Sequence, residues 1–267
     1  MRAFRLAYDG QGYRGFQRQP DVPTIEGELF DALSALDLLA EGASKPAGYA
    51  AAGRTDKGVS ALAQTVAFEC PDWLGPRALN AELPSSVRAW VSAEVSPGFH
   101  ATHDAMAREY TYHLHAPDVE TERAREVLDA LSGTHDFYDL TPDDRNTTRT
   151  LETDVEEDGR YLRLRFRAGG FSRQLVRRLV ALIAGVASGE LPFSRVERVL
   201  SAEPLDGPAG IGPSSPAPLV LTSVTYPGVE FEIDEEAATS ARDVFEARRV
   251  EHETRARVAG TIGSRIR

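Results

Sequence analysis

Gly53-Arg54-Thr55-Asp56-Lys57-Gly58-Val59-Ser60-Ala61 sets one carboxylate between two cations, and Leu62-Ala63-Gln64-Thr65-Val66-Ala67-Phe68 follows as a strand. Glycine enters left-handed backbone at little cost, so Gly53 and Gly58 mark a loop on either side of Asp56. A carboxylate on a loop at a strand edge is placed for chemistry. The plainer alternative is a turn acid paired with a neighbouring cation.

Strands and helices alternate outward from this segment. Phe4, Leu6 and Tyr8 recur at every second residue, as on a strand with one buried face. Thr24 is suited to cap a helix whose apolar positions are Ile25, Leu29, Leu33, Leu36 and Leu39. Ala89–Val95 and Glu109–His115 read as further strands, and Leu128–Leu131 as part of a short helix before Gly133. The second half opens near Arg149 and continues through a strand with Leu162, Leu164 and Phe166 on one face. A helix follows, with Phe171, Leu175, Leu179, Leu182 and Val186 as its stripe, and Leu219–Tyr226 closes the pattern at Pro227. Short strands and irregular crossovers predict an α+β fold with a mostly antiparallel sheet, in two halves joined near residues 100–108. The expected division is 1–104, 105–229 and a charged extension over 230–267.

A chain of 267 residues suffices for one large domain or two of ordinary size. Its 42% apolar and 8% aromatic content fits a packed globular protein. No apolar run approaches the ~20 residues needed to cross a bilayer. Met1–Tyr8 lacks the apolar core of an export signal. Cys70 is the single cysteine, which excludes an internal disulfide and a thiolate metal cage. These features predict a soluble cytoplasmic protein with no membrane partner.

The net charge is −11, yet of 30 basic residues only Lys45 and Lys57 are lysine. That balance resembles adaptation to high salt. In molar salt the screening length falls to ~3 Å, so local charge decides which polyanion the surface meets. Residues 160–178 carry seven arginines (160, 163, 165, 167, 173, 177 and 178) and no acid. Such a stripe contacts phosphates, or else pairs with acids from elsewhere. From Glu230 onward a charged helix is expected, with acids first (Glu230 to Glu236) and arginines last (Arg248 to Arg267). The order suits a helix dipole, and the default is a solvated appendage.

Two motifs point to chemistry that their surroundings do not support. Gly10-Gln11-Gly12-Tyr13-Arg14-Gly15 matches the dinucleotide fingerprint, but that motif must open a helix. Here Pro20 and Pro23 intervene, and helical periodicity starts only at Ile25. His113 and His115 share a strand face near His100 and His103, without an acidic or thiol partner at metal-ligand spacing. No metal site is expected.

The stretch from Gly53 to Phe68 resembles the active-site segment of the TruA family of tRNA pseudouridine synthases. Four further segments resemble that family in order: Tyr8–Gln19 with Thr24–Leu29, Phe99–Ala101 with Ala107–Tyr112, Phe171–Arg178, and Pro216–Leu221 with Val224 and Tyr226. The resemblance covers residues 4–226. It implies the pseudouridine synthase fold, two similar halves around a central cleft, and no cofactor. It also implies a homodimer acting on tRNA at uridines 38, 39 and 40 of the anticodon arm.

By the same resemblance Asp56 is the catalytic acid, as nucleophile or as electrostatic partner of the ribosyl centre, and Arg177 holds it ionised. Tyr110 stacks on the flipped base and helps with proton transfer; read without the family it is an ordinary strand tyrosine. Base stacking of this kind is worth ~1–3 kcal/mol. Arg54 fills the gap left by the extruded nucleotide, or serves as a helper cation for Asp56. Arg14, Arg18, Arg173 and Arg178 are expected on phosphates. Thr102 stands where the family usually has arginine after Phe99-His100-Ala101, and Ser172-Arg173-Gln174 departs from bulkier, His-containing residues. A non-catalytic RNA-binding module is the competing class, but such a module has no use for an anion inside a cationic cleft.

Overall fold

Val87-Arg88-Ala89-Trp90-Val91-Ser92-Ala93-Glu94 buries every second residue and turns the others outward, the signature of a strand with one covered face. The computed structural model describes residues 1–40, 42–117, 119–201 and 210–266. Its first part contains β1 (Arg2–Tyr8), α1 (Ile25–Ala35), β2 (Ala50–Ala51), β3 (Ser60–Phe68), α2 (Pro76–Glu82) and β4 (Val87–Glu94). Then come β5 (Ala107–His115), α3 (Thr121–Leu131), β6 (Gly133–Asp136), β7 (Thr148–Asp158), β8 (Tyr161–Ala168) and α4 (Leu175–Ala187). The chain finishes with α5 (Ser194–Val199), β9 (Leu219–Thr225), β10 (Glu232–Ile233) and α6 (Glu235–Gly263).

The strands form one sheet in the order β10-β4-β1-β3-β9-β5-β8-β7-β6, with β2 beside β3. The architecture is α+β and mostly antiparallel. The exception is β3 against β9, where Ser60 and Ala61 lie parallel to Val220 and Leu221. This seam matters for function, because β9 inserts between the strand that follows Asp56 and the strand that carries Tyr110. Two apolar clusters cover the sheet. One gathers Phe4, Leu6, Leu29, Leu33 and Phe68 with Leu221 and Val224 of β9. The other gathers Leu128, Leu131, Leu164, Phe166, Leu179 and Ile183.

Several boundaries differ from the sequence expectation for identifiable reasons. Thr24 caps α1 as expected, its hydroxyl accepting from the Gly27 amide. The helix stops at Leu36, however, because the chain turns through Asp37 at φ 57°, and Leu39 lies beyond it. Phe171 precedes α4: Gln174, at φ 59°, is the left-handed residue before the helix, so Phe171 belongs to the approach loop. At the C-terminus the short β10 pairs with β4 before α6 begins at Glu235. Arg267 lies outside the described residues.

The arginine stripe receives the largest correction. Strand β7 holds five acids, residues that favour strands poorly, and its pattern gives little sign of a strand. It forms because β8 places an arginine opposite three of them: Glu152 faces Arg167, Asp154 faces Arg165 and Glu156 faces Arg163. The Arg163–Glu156 and Arg167–Glu152 contacts are 3.1 and 2.8 Å, and Arg165 hydrogen-bonds Asp154, holding that carboxyl below its usual range. Opposite charges directly across a ladder stabilise the pairing. Arg163, Arg165 and Arg167 therefore hold a hairpin together instead of forming an acid-free phosphate patch.

Candidate active site

Glycine backbone brings the site together. Asp56 begins a tight turn closed by the Val59 amide on the Asp56 carbonyl at 3.1 Å, with Gly58 at φ 80° inside it. The N-terminal loop lies against this turn. The Phe16 amide donates to the Thr55 carbonyl at 3.0 Å, and the Gly10 amide to the Ser60 hydroxyl at 3.1 Å. A Cβ on Gly10 would sit 2.1 Å from the Val59 carbonyl oxygen, and one on Gly15, at φ 112°, would sit 3.0 Å from the Thr55 carbonyl oxygen. Two of the three glycines of the apparent dinucleotide motif, Gly10 and Gly15, thus serve close approach to the Asp56 turn. Below it, the buried Tyr8 hydroxyl shares a 2.8 Å hydrogen bond with Thr55, and buried Gln64 donates to the Gly53 carbonyl at 2.8 Å.

From the other half, α4 delivers Arg177. Its Nη1 lies 3.2 Å from an Asp56 carboxylate oxygen, while its Nε donates to the Ser214 carbonyl at 2.7 Å. The guanidinium is thereby fixed from behind and aimed at the acid. The arginine side chain is 14% exposed and the Asp56 side chain 35%, so the pair sits at the floor of an opening with the carboxylate reachable.

Tyr110 stands beside the pair on β5, its ring edge-on to Phe171 at 5.1 Å. Burial pushes its phenol up to about 12; Arg108 opposes that shift and Asp56 adds to it. The hydroxyl therefore keeps its proton throughout the neutral range.

These residues line one cleft of about 1240 Å³, larger than the usual small-molecule pocket. Asp56, Arg54, Tyr110, Arg177, Arg18 and Arg173 all border it, together with Lys45 and His100. Arg18 also lies over the Phe30 ring, 5.8 Å from its centre. Arg173 is exposed and pairs with Asp143 at 2.5 Å. Two expected phosphate contacts lie elsewhere. Arg14 is exposed but outside the cleft lining. Arg178 is 8% exposed and turned inward, donating to the Ile211 carbonyl at 2.5 Å and to Gln174 at 3.1 Å. His100 stacks on His103 at 4.2 Å, and no group of three metal-ligating side chains occurs among the described residues.

Residues 127–227 match a family model described as tRNA pseudouridine synthase. The tRNA pseudouridine synthase A of Natronomonas pharaonis is 58% identical over 264 residues, 98% of each chain. The chain belongs to the tRNA pseudouridine synthase family. The relatives from Haloarcula marismortui and Methanosarcina acetivorans are 55% and 37% identical, over 98% and 84% of each chain. Relatives from halophilic archaea accord with the acidic, lysine-poor composition. At 98% coverage their alignments leave out only a few residues, so they take in α6. A solved Cbf5-Nop10-Gar1 complex gives a TM-score of 0.36 at 18% identity, covering 69% of this chain and 45% of that one. Among the described residues, no helix is long and apolar enough to cross a membrane.

One residue at the site escaped the sequence reading. Arg108 shares a strand face with Tyr110, two residues away, which was the available signal. It donates to the Ala52 carbonyl at 2.7 Å, to Thr102 at 2.6 Å and to Gly169 at 2.6 Å. Those carbonyls belong to the approach to the Asp56 loop, the Thr102 loop and the approach to Phe171. Thr102 itself donates to the Ala51 carbonyl at 2.5 Å, joining the same knot. Arg108 thus spaces the two walls of the cleft as a positioning residue. Arg108→Gln should destabilise the fold by about 2–3 kcal/mol through its unsatisfied carbonyls. It should also lower kcat about tenfold or more on protein that remains folded. Unfolding midpoints and a kcat-against-KM comparison test this; wild-type turnover in the variant would remove Arg108 from that role.

Proposed function

We propose that this protein isomerises uridine to pseudouridine in the anticodon arm of tRNA, with Asp56 as nucleophile. The observation that carries the proposal is the Asp56–Arg177 pair, 3.2 Å apart in a cleft that Arg18, Arg54, Arg173, Lys45 and Tyr110 also border. In this reaction the carboxylate attacks C1′ of the target nucleotide and the bond to N1 breaks, releasing uracil with the bonding pair. The uracil turns while Tyr110 and the cleft walls retain it. C5 then bonds to C1′ as the carboxylate leaves, C5 gives up its proton and N1 takes one up in its place, so the product is an isomer of the substrate. No oxidation and no external group transfer occur.

Each of the halves 1–104 and 105–229 contributes one wall of the cleft. The first supplies Asp56, Arg54 and Arg18, and the second supplies Tyr110, Arg173 and Arg177. Arg54, Arg18 and Arg173 meet the RNA backbone around the extruded nucleotide, and Arg14 lies outside that cleft contact. A flipped base needs such a site, because chemistry at C1′ and C5 is inaccessible within a stacked helix. The test is pseudouridine mapping on an unmodified tRNA transcript incubated with the protein in molar KCl. Product confined to the anticodon arm is expected. Tight binding of the transcript without product would favour a non-catalytic RNA-binding module.

A further inference from the structure

All 41 acids of the chain lie in residues 1–253, whereas residues 254–267 hold Arg255, Arg257, Arg265 and Arg267 and no acid. Within a chain of net charge −11, this stretch is therefore a cationic tip on the helix. The structure carries that tip away from the body. Of α6, only Ala237, Ala238 and Ala241 are buried, and every described residue from Arg249 onward is exposed. At 1.5 Å per residue the helix runs roughly 20 Å past its last anchor.

That anchor is Arg248, whose guanidinium meets the Asp9 carboxylate at 2.6 Å. Asp9 begins the glycine-rich loop that lies on the Asp56 turn and carries Arg14 and Arg18. The projecting helix is thus rooted at the segment that forms one side of the active site. A helix without packing is marginal in water. Here Arg249–Glu253, Arg255–Glu251 and Arg257–Glu253, each four residues apart, brace it at 2.6–2.8 Å. The Arg255 and Arg257 side chains are 72% and 78% exposed, against 35–48% for Arg163, Arg165 and Arg167 of β8, so a phosphate can reach them beside their carboxylates, and arginine binds phosphate through two parallel donors. In molar salt only charges in contact act, which favours a reaching arm over a diffuse field.

We infer that α6 is an RNA-binding arm whose terminal arginines contact phosphates of the same tRNA outside the catalytic cleft. The inference rests on the proposed tRNA substrate. Its test uses the full-length chain carrying Arg255→Gln, Arg257→Gln and Arg265→Gln together, with circular dichroism showing that the helix persists. Affinity for intact tRNA is measured against KCl concentration, and pseudouridine formation is measured on intact tRNA and on an isolated anticodon stem-loop. Two or three lost phosphate contacts should flatten the slope of log affinity against log salt by about two. KM for intact tRNA should rise about tenfold, with kcat and stem-loop turnover unchanged.

An unchanged slope and KM, or equal losses on both substrates, would overturn the arm. So would a fall in the native mass by sedimentation, because exposed Val250, Val258 and Ile262 would then mark α6 as a contact between copies of this chain. If the wild type modifies no tRNA, the proposed reaction fails, while the salt slope still decides whether α6 grips RNA.

Discussion

Asp56→Asn should yield a folded protein that still binds tRNA and makes no pseudouridine. The substitution preserves shape and removes the charge, and the side chain is 35% exposed, so no buried packing is lost. Loss of a nucleophile acting as part of a catalytic unit costs about 10⁴-fold or more in turnover. Binding should stay within about tenfold, or ~1.4 kcal/mol, because the surrounding arginines hold the RNA and the lost anion only repelled it. The measurement pairs single-turnover product formation with a filter-binding titration on one transcript. Turnover within tenfold of wild type would end the nucleophilic assignment.

In the proposed mechanism the remaining geometry lets one carboxylate suffice. Arg177 is held by Ser214 before any substrate arrives, so no reorganisation is needed when charge shifts at Asp56. Tyr110, with its phenol pushed up to about 12, keeps its proton at neutral pH and presents a flat ring. The acid and the phenol have different surroundings, which suits the separate roles proposed for them. One lies on an open turn against a guanidinium, the other against Phe171 on a strand.

Much of this was legible in the sequence because local signals and tertiary placement agree. The alternation at Phe4, Leu6 and Tyr8, the Thr24 cap, and the loop-to-strand passage after Asp56 are decided within a few residues. What was hidden depends on partners distant in sequence. Strand β7 has too many acids to read as a strand until the arginines of β8 are placed opposite. Arg178 looks like an RNA contact until its inward turn to Ile211 is seen, and Arg108 like an ordinary strand residue until four separate carbonyls converge on it. The glycines at 10 and 15 show the same limit from the other side. Their spacing matches a nucleotide motif, but their purpose is set by Val59 and Thr55, more than 35 residues away.

Arg177→Ala should lower kcat by about 10²- to 10³-fold, the usual loss when a preorganised charged donor is removed from a reacting centre. The fold should survive, because the arginine contributes one contact to Asp56 and one to the Ser214 carbonyl, together worth about 2–3 kcal/mol. Arg177→Lys separates charge from geometry. A lysine ammonium restores a positive charge but cannot span Ser214 and Asp56 with two donors in a rigid plane. Partial recovery, between the alanine variant and wild type, is the expected outcome. Full recovery by lysine would mean that charge alone matters and that anchoring at Ser214 is incidental. Circular dichroism and thermal unfolding of both variants complete the test: loss of structure in Arg177→Ala would make the residue a structural link between α4 and the Asp56 loop. Retained structure with lost turnover would leave it acting on the carboxylate 3.2 Å away.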